Sequence, residues 1–220
     1  MSDRHAESPA GSTNRSGYGD GRKTGPLVSD RTALRGERRV AMIPHVAMDW
    51  LPSILLFGAG LLLWPLLEYT IHGWLSHVFQ TPVSPLHWEH HQDPRRVFTS
   101  VLAWGPAALA LFGLLSLALG TAVATPISLG ALVGFLRYEY VHWRIHFREP
   151  RNTRQRTLKA HHLAHHFCDA KAYFGVTTRV CDRLFGSLPA KHPEDYARVV
   201  DRPPLRGRSN FGTLLPRRAS

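Results

Sequence analysis

The chain has 220 residues, and its 27 Lys and Arg against 16 Asp and Glu give a formal charge of +11. That length holds one domain with tails, and two cysteines, Cys168 and Cys181, exclude a disulfide-built scaffold. The basic balance points to nucleic acid or to an anionic membrane surface. Long apolar blocks in the middle of the chain select the membrane, and no nucleic-acid-binding module is recognisable.

Residues 1–38 are poor in apolar side chains, rich in Gly, Ser and Arg, and without periodicity, so a disordered basic tail is expected there. The first 30 residues lack the apolar core of a secretory signal. Arg35, Arg38 and Arg39 read as a juxtamembrane anchor. A membrane domain is expected over 39–200 and a flexible tail over 201–220. Residues 40–67 are largely apolar, interrupted by Pro44, Pro52 and Pro65, with Asp49 as the single charge. Their best-formed part, residues 51–67, is near the short limit for a spanning helix. At about 1.5 Å per residue the block cannot cross twice. A single span, which carries the N-terminal tail across despite its arginines, is preferred to a shallow re-entrant hairpin bent at Pro52 or Gly58/Gly60, because residues 51–67 are the best-formed apolar run. Residues 66–79 should continue as a helix into the interface, with Tyr69 and Trp74 at headgroup level.

Residues 80–85 read as a turn and 86–91 as a short interfacial helix ended by Asp93-Pro94. Residues 98–136 are uncharged and almost wholly apolar, with breaks expected at Gly120-Thr121 and near Thr125-Pro126. This is a transmembrane hairpin, out over 98–119 and back over 121–140. Residues 148–159 read as a basic surface connection, 160–167 hold the last histidines, and 172–188 should pack over them. The whole reads as an all-α integral membrane protein of three to four membrane segments. A histidine-rich helical cap holds a dinuclear metal site, and the arginines around it assign it to the cytoplasmic face.

Eleven of the fourteen histidines fall in two zones, and residues 92–141 between them contain none. Four groups can be written: His72-x4-His77, His87-x2-His90-His91, His142-x3-His146 and His162-x2-His165-His166. Spacings of three and four share a helix face, so the histidines within each of the last three groups should point together. The first spacing differs. Five residues at about 100° each leave His72 and His77 apart in azimuth. Either the helix is deformed there, or the two serve different metals or different sides of one cavity. Ten imidazoles exceed the four to six ligands of one ion and imply two metals, among which imidazole suits zinc, copper, iron and nickel. A lone His-x3-His is ordinarily surface or core. Two copies of His-x2-His-His with two further pairs at the ends of apolar spans make a metal site. Glu68, Glu89, Asp93, Glu139 and Asp169 are expected to accept the free ring N–H of a ligand histidine rather than to ligate. His161 stands open between ligand, partner of a ligand and proton relay. His5, His45 and His192 lie outside the pattern.

The groups, in this order and spacing, resemble the membrane fatty acid hydroxylase and sterol desaturase superfamily. The stretches L-L-E-Y-T-I-H-G-W-L-S-H, L-H-W-E-H-H, L-K-A-H-H-L-A-H-H-F and F-G-V-T-T-R-V-C-D-R-L-F-G-S resemble fatty acid 2-hydroxylases more closely. The resemblance runs from about residue 64 to 188. It implies a non-haem di-iron oxygenase that takes O2 as co-substrate, holds two iron ions (zinc able to substitute in purified protein) and hydroxylates a lipid acyl chain. Eukaryotic fatty acid 2-hydroxylases are similar but carry a fused cytochrome b5 domain with a His-Pro-Gly-Gly turn. Here His192-Pro193 precedes Glu194, so the resemblance implies a separate electron donor of cytochrome b5, ferredoxin or reductase type. Carotenoid hydroxylases use a similar histidine arrangement, so carotenoid or sterol hydroxylation or desaturation is the alternative within the superfamily. A zinc-binding or zinc-transporting membrane protein is the alternative of another class. It is disfavoured because residues 98–136 carry no ionisable group for a transport path. Trp74, Trp88, Trp143, Phe147 and Phe174 are candidates for lining the entry of the acyl chain, against a plain role in interfacial packing.

Overall fold

The computed structural model describes residues 50–79 and 81–210. The expected N-terminal tail and basic anchor, and the last ten residues of the expected C-terminal tail, lie outside them. Seven α-helices follow in order: α1 (Trp50–Tyr69), α2 (Ser84–Gln92), α3 (Val101–Leu119), α4 (Thr121–Phe147), α5 (Thr153–Phe167), α6 (Val180–Leu184) and α7 (His192–Val199). Between α1 and α2 the chain runs through a π-helical segment, Thr70–Val78, and no β-strand occurs among the described residues.

Among the described residues three helices are long and apolar enough to cross a membrane: Trp50–Val78, Val101–Leu119 and Thr121–Phe147. At about 1.5 Å per residue α3 rises roughly 28 Å, close to the hydrocarbon thickness of about 30 Å. α3 buries none of its residues, and Leu62, Leu102, Leu109 and Leu117 on α1 and α3 are all more than two-thirds exposed. Such a continuous apolar surface suits lipid and not water. α1 runs unbroken past Gly58 and Gly60, so the re-entrant bend expected at those glycines is absent. Pro52 lies in the first turn, where its missing N–H costs nothing. α4 likewise runs through Pro126, and the second expected break is absent. The first is present: Gly120 takes φ +80° between α3 and α4, a conformation glycine adopts without steric cost.

α1 and α4 approach until their backbones touch. A Cβ on Gly60 would lie 2.0 Å from the Ile127 carbonyl oxygen, and one on Gly130 2.0 Å from that of Phe57. A Cβ on Gly134 would lie 2.4 Å from the Trp64 Cβ. Gly130-x3-Gly134 is thus a small-residue seam of the kind that lets membrane helices approach closely. Gly130→Val must push the two helices apart. Overpacking of this kind costs about 1–3 kcal/mol, which predicts a fall of about 5 °C in the melting temperature of the detergent-solubilised protein. Gly113→Val on α3, where a Cβ meets nothing within 4 Å, should leave it unchanged.

The histidine end is organised differently from the sequence reading in three places. Tyr69 turns into the protein instead of outward: it is buried, its ring packs edge-on to Phe174, and its hydroxyl lies 2.9 Å from Ser187 Oγ. The basic connection shortens to residues 148–152, because α5 starts at Thr153. There the Asn152 side chain caps it by accepting the Gln155 N–H at 3.0 Å. Beyond residue 189 the chain forms α7, which buries Asp195 and Val199. Residues 201–210 return along the cap: the Leu205 N–H donates to the His146 carbonyl and the Asn210 N–H to that of Arg95, both at 2.7 Å. A small apolar core of Ile145, Leu158, Leu163, Ala164, Ala172, Tyr173, Val176 and Val199 lies beneath the histidines of α5.

Candidate metal centre

The ten histidines separate into two groups of five, one of His72, His77, His87, His91 and His165, the other of His90, His142, His146, His162 and His166. Within each, one ring nitrogen per residue lies within 4.8 Å of all the others. The division follows helical geometry. His87 and His91, His142 and His146, and His162 and His166 are all four residues apart, and each pair stays together. The adjacent pairs His90/His91 and His165/His166 diverge and are split between the groups. The expectation that each three-histidine group points together is therefore corrected, since the residue at i+3 joins the other cluster. The His72/His77 spacing resolves as a deformed helix. In the π-helical segment the i→i+5 repeat brings residues five apart onto one face, and the two rings stand 5.6 Å apart in one cluster.

The spacing of the nitrogens tests whether a metal fits. His162 Nε2 lies 3.0 Å from the Nε2 of His142, of His146 and of His166, and His142 Nε2 is 3.0 Å from that of His90. In the other cluster His91 Nε2 is 3.0 Å from the Nε2 of His87 and of His165, and His165 Nε2 is 3.1 Å from that of His72. Imidazoles bound at about 2.1 Å and at right angles are about 3.0 Å apart, whereas a tetrahedral site separates them by about 3.4 Å. The spacings among all five rings of the second cluster, and among four of the five in the first, fit an ion of five or six ligands better than a tetrahedral one, with His77 within 4.8 Å of the others.

Burial, reinforced by repulsion from neighbouring rings, holds His87, His90, His162, His165 and His166 well below the ordinary histidine range, and brings His91 down to about 4. At neutral pH these rings are therefore uncharged, the form that binds metal. The same shifts fix an acid limit. Between about pH 6.5 and pH 4 the unfolded chain takes up protons that the folded chain refuses, so stability present above pH 6.5 is lost as pH falls. Thermal melting of chelator-treated protein should decline through that window and stay level from pH 7 to 8.

Two of the ten clustered rings are oriented by backbone carbonyls. His72 Nδ1 donates to the Phe174 carbonyl at 2.5 Å and His165 Nδ1 to that of Ala172 at 2.8 Å. These bonds fix the tautomer that leaves Nε2 free for a metal. Residues 172–178 are themselves braced by two buried carboxylates. Glu68 accepts the N–H groups of Val176 and Thr177 and the Thr177 hydroxyl, at 2.5, 2.8 and 2.5 Å. Asp182 accepts those of Phe174 at 2.7 Å and Gly175 at 2.8 Å, with Ser187 Oγ at 2.7 Å and His161 Nε2 at 3.0 Å. Tyr173 sits at φ +61°, unusual for a side-chain-bearing residue. Its hydroxyl donates to the buried Asp195 at 2.6 Å, which holds it there.

The other sequence candidates stand outside both clusters. His161 is fully buried between Asp182 and the Tyr196 hydroxyl, 2.6 Å from its Nδ1. Glu89 pairs with Arg96 at 2.7 Å, and Asp93 lies near Arg95 and Arg96. Glu139 accepts the Thr99 N–H at 3.3 Å and Asp169 that of Lys171 at 2.9 Å. Glu68 acts on the loop and not on a histidine. The expectation that these five carboxylates take up ligand N–H groups is corrected: for His72 and His165 backbone carbonyls do so. The residues that sequence reasoning missed are Asp182, Thr177, Ser187 and Tyr196. Asp182 had one signal, a lone acid among apolar residues in V-T-T-R-V-C-D-R-L-F-G-S. Of the proposed entry residues, Phe174 is buried against His72, His77 and His165, whereas Trp88 is exposed and stacks on His91.

The chain is 35% identical over 154 residues to a fatty acid 2-hydroxylase of Macaca fascicularis, covering 63% of this chain and 40% of that one. It is 34% identical over 146 residues to a dihydroceramide fatty acyl 2-hydroxylase of Arabidopsis thaliana, covering 61% of each. A solved structure described as full-length scs7p, with only its hydroxylase domain visible, superposes with a TM-score of 0.60 at 26% identity, over 73% of this chain and 61% of that one. The match thus spans between two-fifths and three-fifths of these relatives' own length. The family model described as fatty acid hydroxylase matches residues 57–187, more than half of the chain and all ten clustered histidines, and the chain belongs to that family.

Proposed function

We propose that this protein is a membrane-bound di-iron oxygenase that hydroxylates a lipid acyl chain beside its carbonyl, with O2 and with electrons from a separate donor. The observation that carries this reading is the five-and-five division of the histidines, which exceeds the four ligands of a tetrahedral zinc site. The relatives named fatty acid and dihydroceramide 2-hydroxylases support the substrate class. With two irons bound, the centre would supply the reduction of O2 by two electrons and two protons, one oxygen atom entering the C–H bond and the other leaving as water.

The protein's own part is positioning and access. His72, His77, His87, His91 and His165 would hold one ion, and His90, His142, His146, His162 and His166 the other. Three members of the first set, His77, His87 and His91, are partly exposed, against His166 alone in the second. The substrate would therefore approach from the first set, where Trp88 covers His91 at a ring separation of 5.8 Å. Phe174 closes the opposite side so tightly that a Cβ on Gly73 would lie 2.8 Å from its ring. That contact excludes water from the His72 edge. Arg95, Arg96 and the basic residues 148–159 near the histidine end support a cytoplasmic centre through the positive-inside tendency.

Acyl-chain analysis of cells expressing the protein should reveal 2-hydroxy acyl lipids that are absent without it. New hydroxylated carotenoid or sterol with unchanged acyl chains would sink the proposal. Protein purified without oxygen should carry about two irons per chain; stoichiometric zinc with metal flux into vesicles would favour a transporter.

A further inference from the structure

The outer face of α4 turns cationic just where its apolar run ends. Leu136 is the last aliphatic residue of that run. Beyond it Arg137, Tyr140, Arg144 and Arg148 recur at spacings of three and four, on one helix face. α5 adds Arg154 and Lys159, and together these side chains line an open groove of about 270 Å³. Five cations face one carboxylate, Glu149, which is 68% exposed. The Lys159 side chain is only 3% exposed, and Glu149 at 3.4 Å is its one ionic partner among the described residues. Arg144 reaches only neutral acceptors, the Tyr140 hydroxyl at 3.4 Å and Gln155 Oε1 at 3.1 Å. Arg137 and Arg154 have no acidic partner among the described residues. α5 also begins here with no acid in its first turn, so its helix dipole adds to the positive potential.

A concentration of like charge around a buried ammonium is unfavourable unless an anion joins it. The groove's volume lies below the roughly 300–1,000 Å³ of sites that enclose whole drug-sized ligands, so it suits a headgroup and not an entire lipid. Its location decides the source. Arg137 stands at the edge of the apolar band, beside the exposed Leu132, Val133 and Leu136, and next to Tyr140 and Trp143, residues typical of the membrane interface. We infer that this groove binds the phosphate of an anionic phospholipid whose acyl chains lie along α4. Guanidinium forks match phosphate oxygens in pairs, while a soluble protein could not reach Arg137 at the rim of the bilayer.

The test uses the full chain reconstituted in phosphatidylcholine vesicles with and without phosphatidylglycerol, followed by native mass spectrometry of retained lipid. Phosphatidylglycerol should be kept in preference to phosphatidylcholine. The combined Arg137→Gln, Arg144→Gln and Arg148→Gln variant should bind it on the order of a hundredfold more weakly. The corresponding lysine variant keeps the charge without the forks and should bind with intermediate strength, which separates loss of charge from misfolding. Replacing Arg183, Arg206 and Arg208 with Gln removes the same charge elsewhere and should change nothing. Equal weakening by both Gln sets would reduce the effect to net charge and overturn the site. Inorganic phosphate binding as tightly in pure phosphatidylcholine would reassign the groove to a soluble anion. An acidic soluble protein whose binding is lost in the first Gln variant, with lipid preference intact, would reassign it to protein docking.

Discussion

His162→Ala should leave one metal per chain instead of two and reduce hydroxylation by more than a hundredfold. His162 is fully buried, and its Nε2 lies 3.0 Å from three other imidazole nitrogens, more close approaches than any other ring in either cluster makes. Merely altering a partner that orients a ligand costs about 10–100-fold in metal affinity or activity, so removing the ligand at the hub of a cluster should cost more. His165→Ala should empty the other cluster, because His165 Nε2 approaches both His72 and His91. The two together should give a protein with no bound metal. His77→Ala is the graded case. His77 sits at the partly exposed edge, where water can replace its nitrogen, so both metals should be retained when the metal supply is ample. Metal analysis on folded, monodisperse protein decides the matter. If His162→Ala and His165→Ala each kept two metals, the five-and-five division would not describe the centres. If each lost both, the two clusters would bind cooperatively rather than as separate sites.

The division itself was half legible in the sequence. Four histidine groups and the expectation of two metals follow from spacing and ligand number. The allocation of each residue does not, because His90 and His91, or His165 and His166, look equivalent until the helix phase relative to its neighbours is known. The π-helical segment was legible only as a conflict, since a His-x4-His pair cannot share one face of an α-helix. The spans were read nearly to their ends, because uniform apolarity is a strong and local signal. The orienting groups at His72 and His165 were invisible, for they are carbonyls of Phe174 and Ala172 that any residue could supply. Their positions depend on long-range bonds from Glu68 and Asp182 that no spacing encodes.

Asp182→Ala should strongly destabilise the cap around the metal centre although Asp182 touches none of the ten histidines of the clusters. Its two oxygens divide four donors: Oδ1 takes the Phe174 N–H and the Ser187 hydroxyl, Oδ2 the Gly175 N–H and His161 Nε2. Alanine would strand the two buried N–H groups and the His161 ring. At about 1–3 kcal/mol for each unsatisfied buried group, the three sum to roughly 3–9 kcal/mol, a large share of a typical total stability of about 5–15 kcal/mol. Asp182→Asn should be little better. An amide keeps one oxygen but turns an NH2 group toward donors on the other side. Burial alone would raise the Asp182 carboxyl, but the bonds from His161, Ser187 and the Gly175 N–H outweigh it and hold the group below its ordinary value. The brace is thus intact at neutral pH and its stabilisation is lost only in acid, as pH falls below the usual aspartate range. The Phe174 carbonyl orients His72, so the first cluster should suffer before the second. Asp182→Ala should lose its first metal at lower chelator concentration than the wild type, and melt earlier. His161→Ala removes one of the four donors and leaves the loop bonds in place, so it should keep both metals. Wild-type melting and chelator resistance in Asp182→Ala would mean that Glu68 alone fixes the loop.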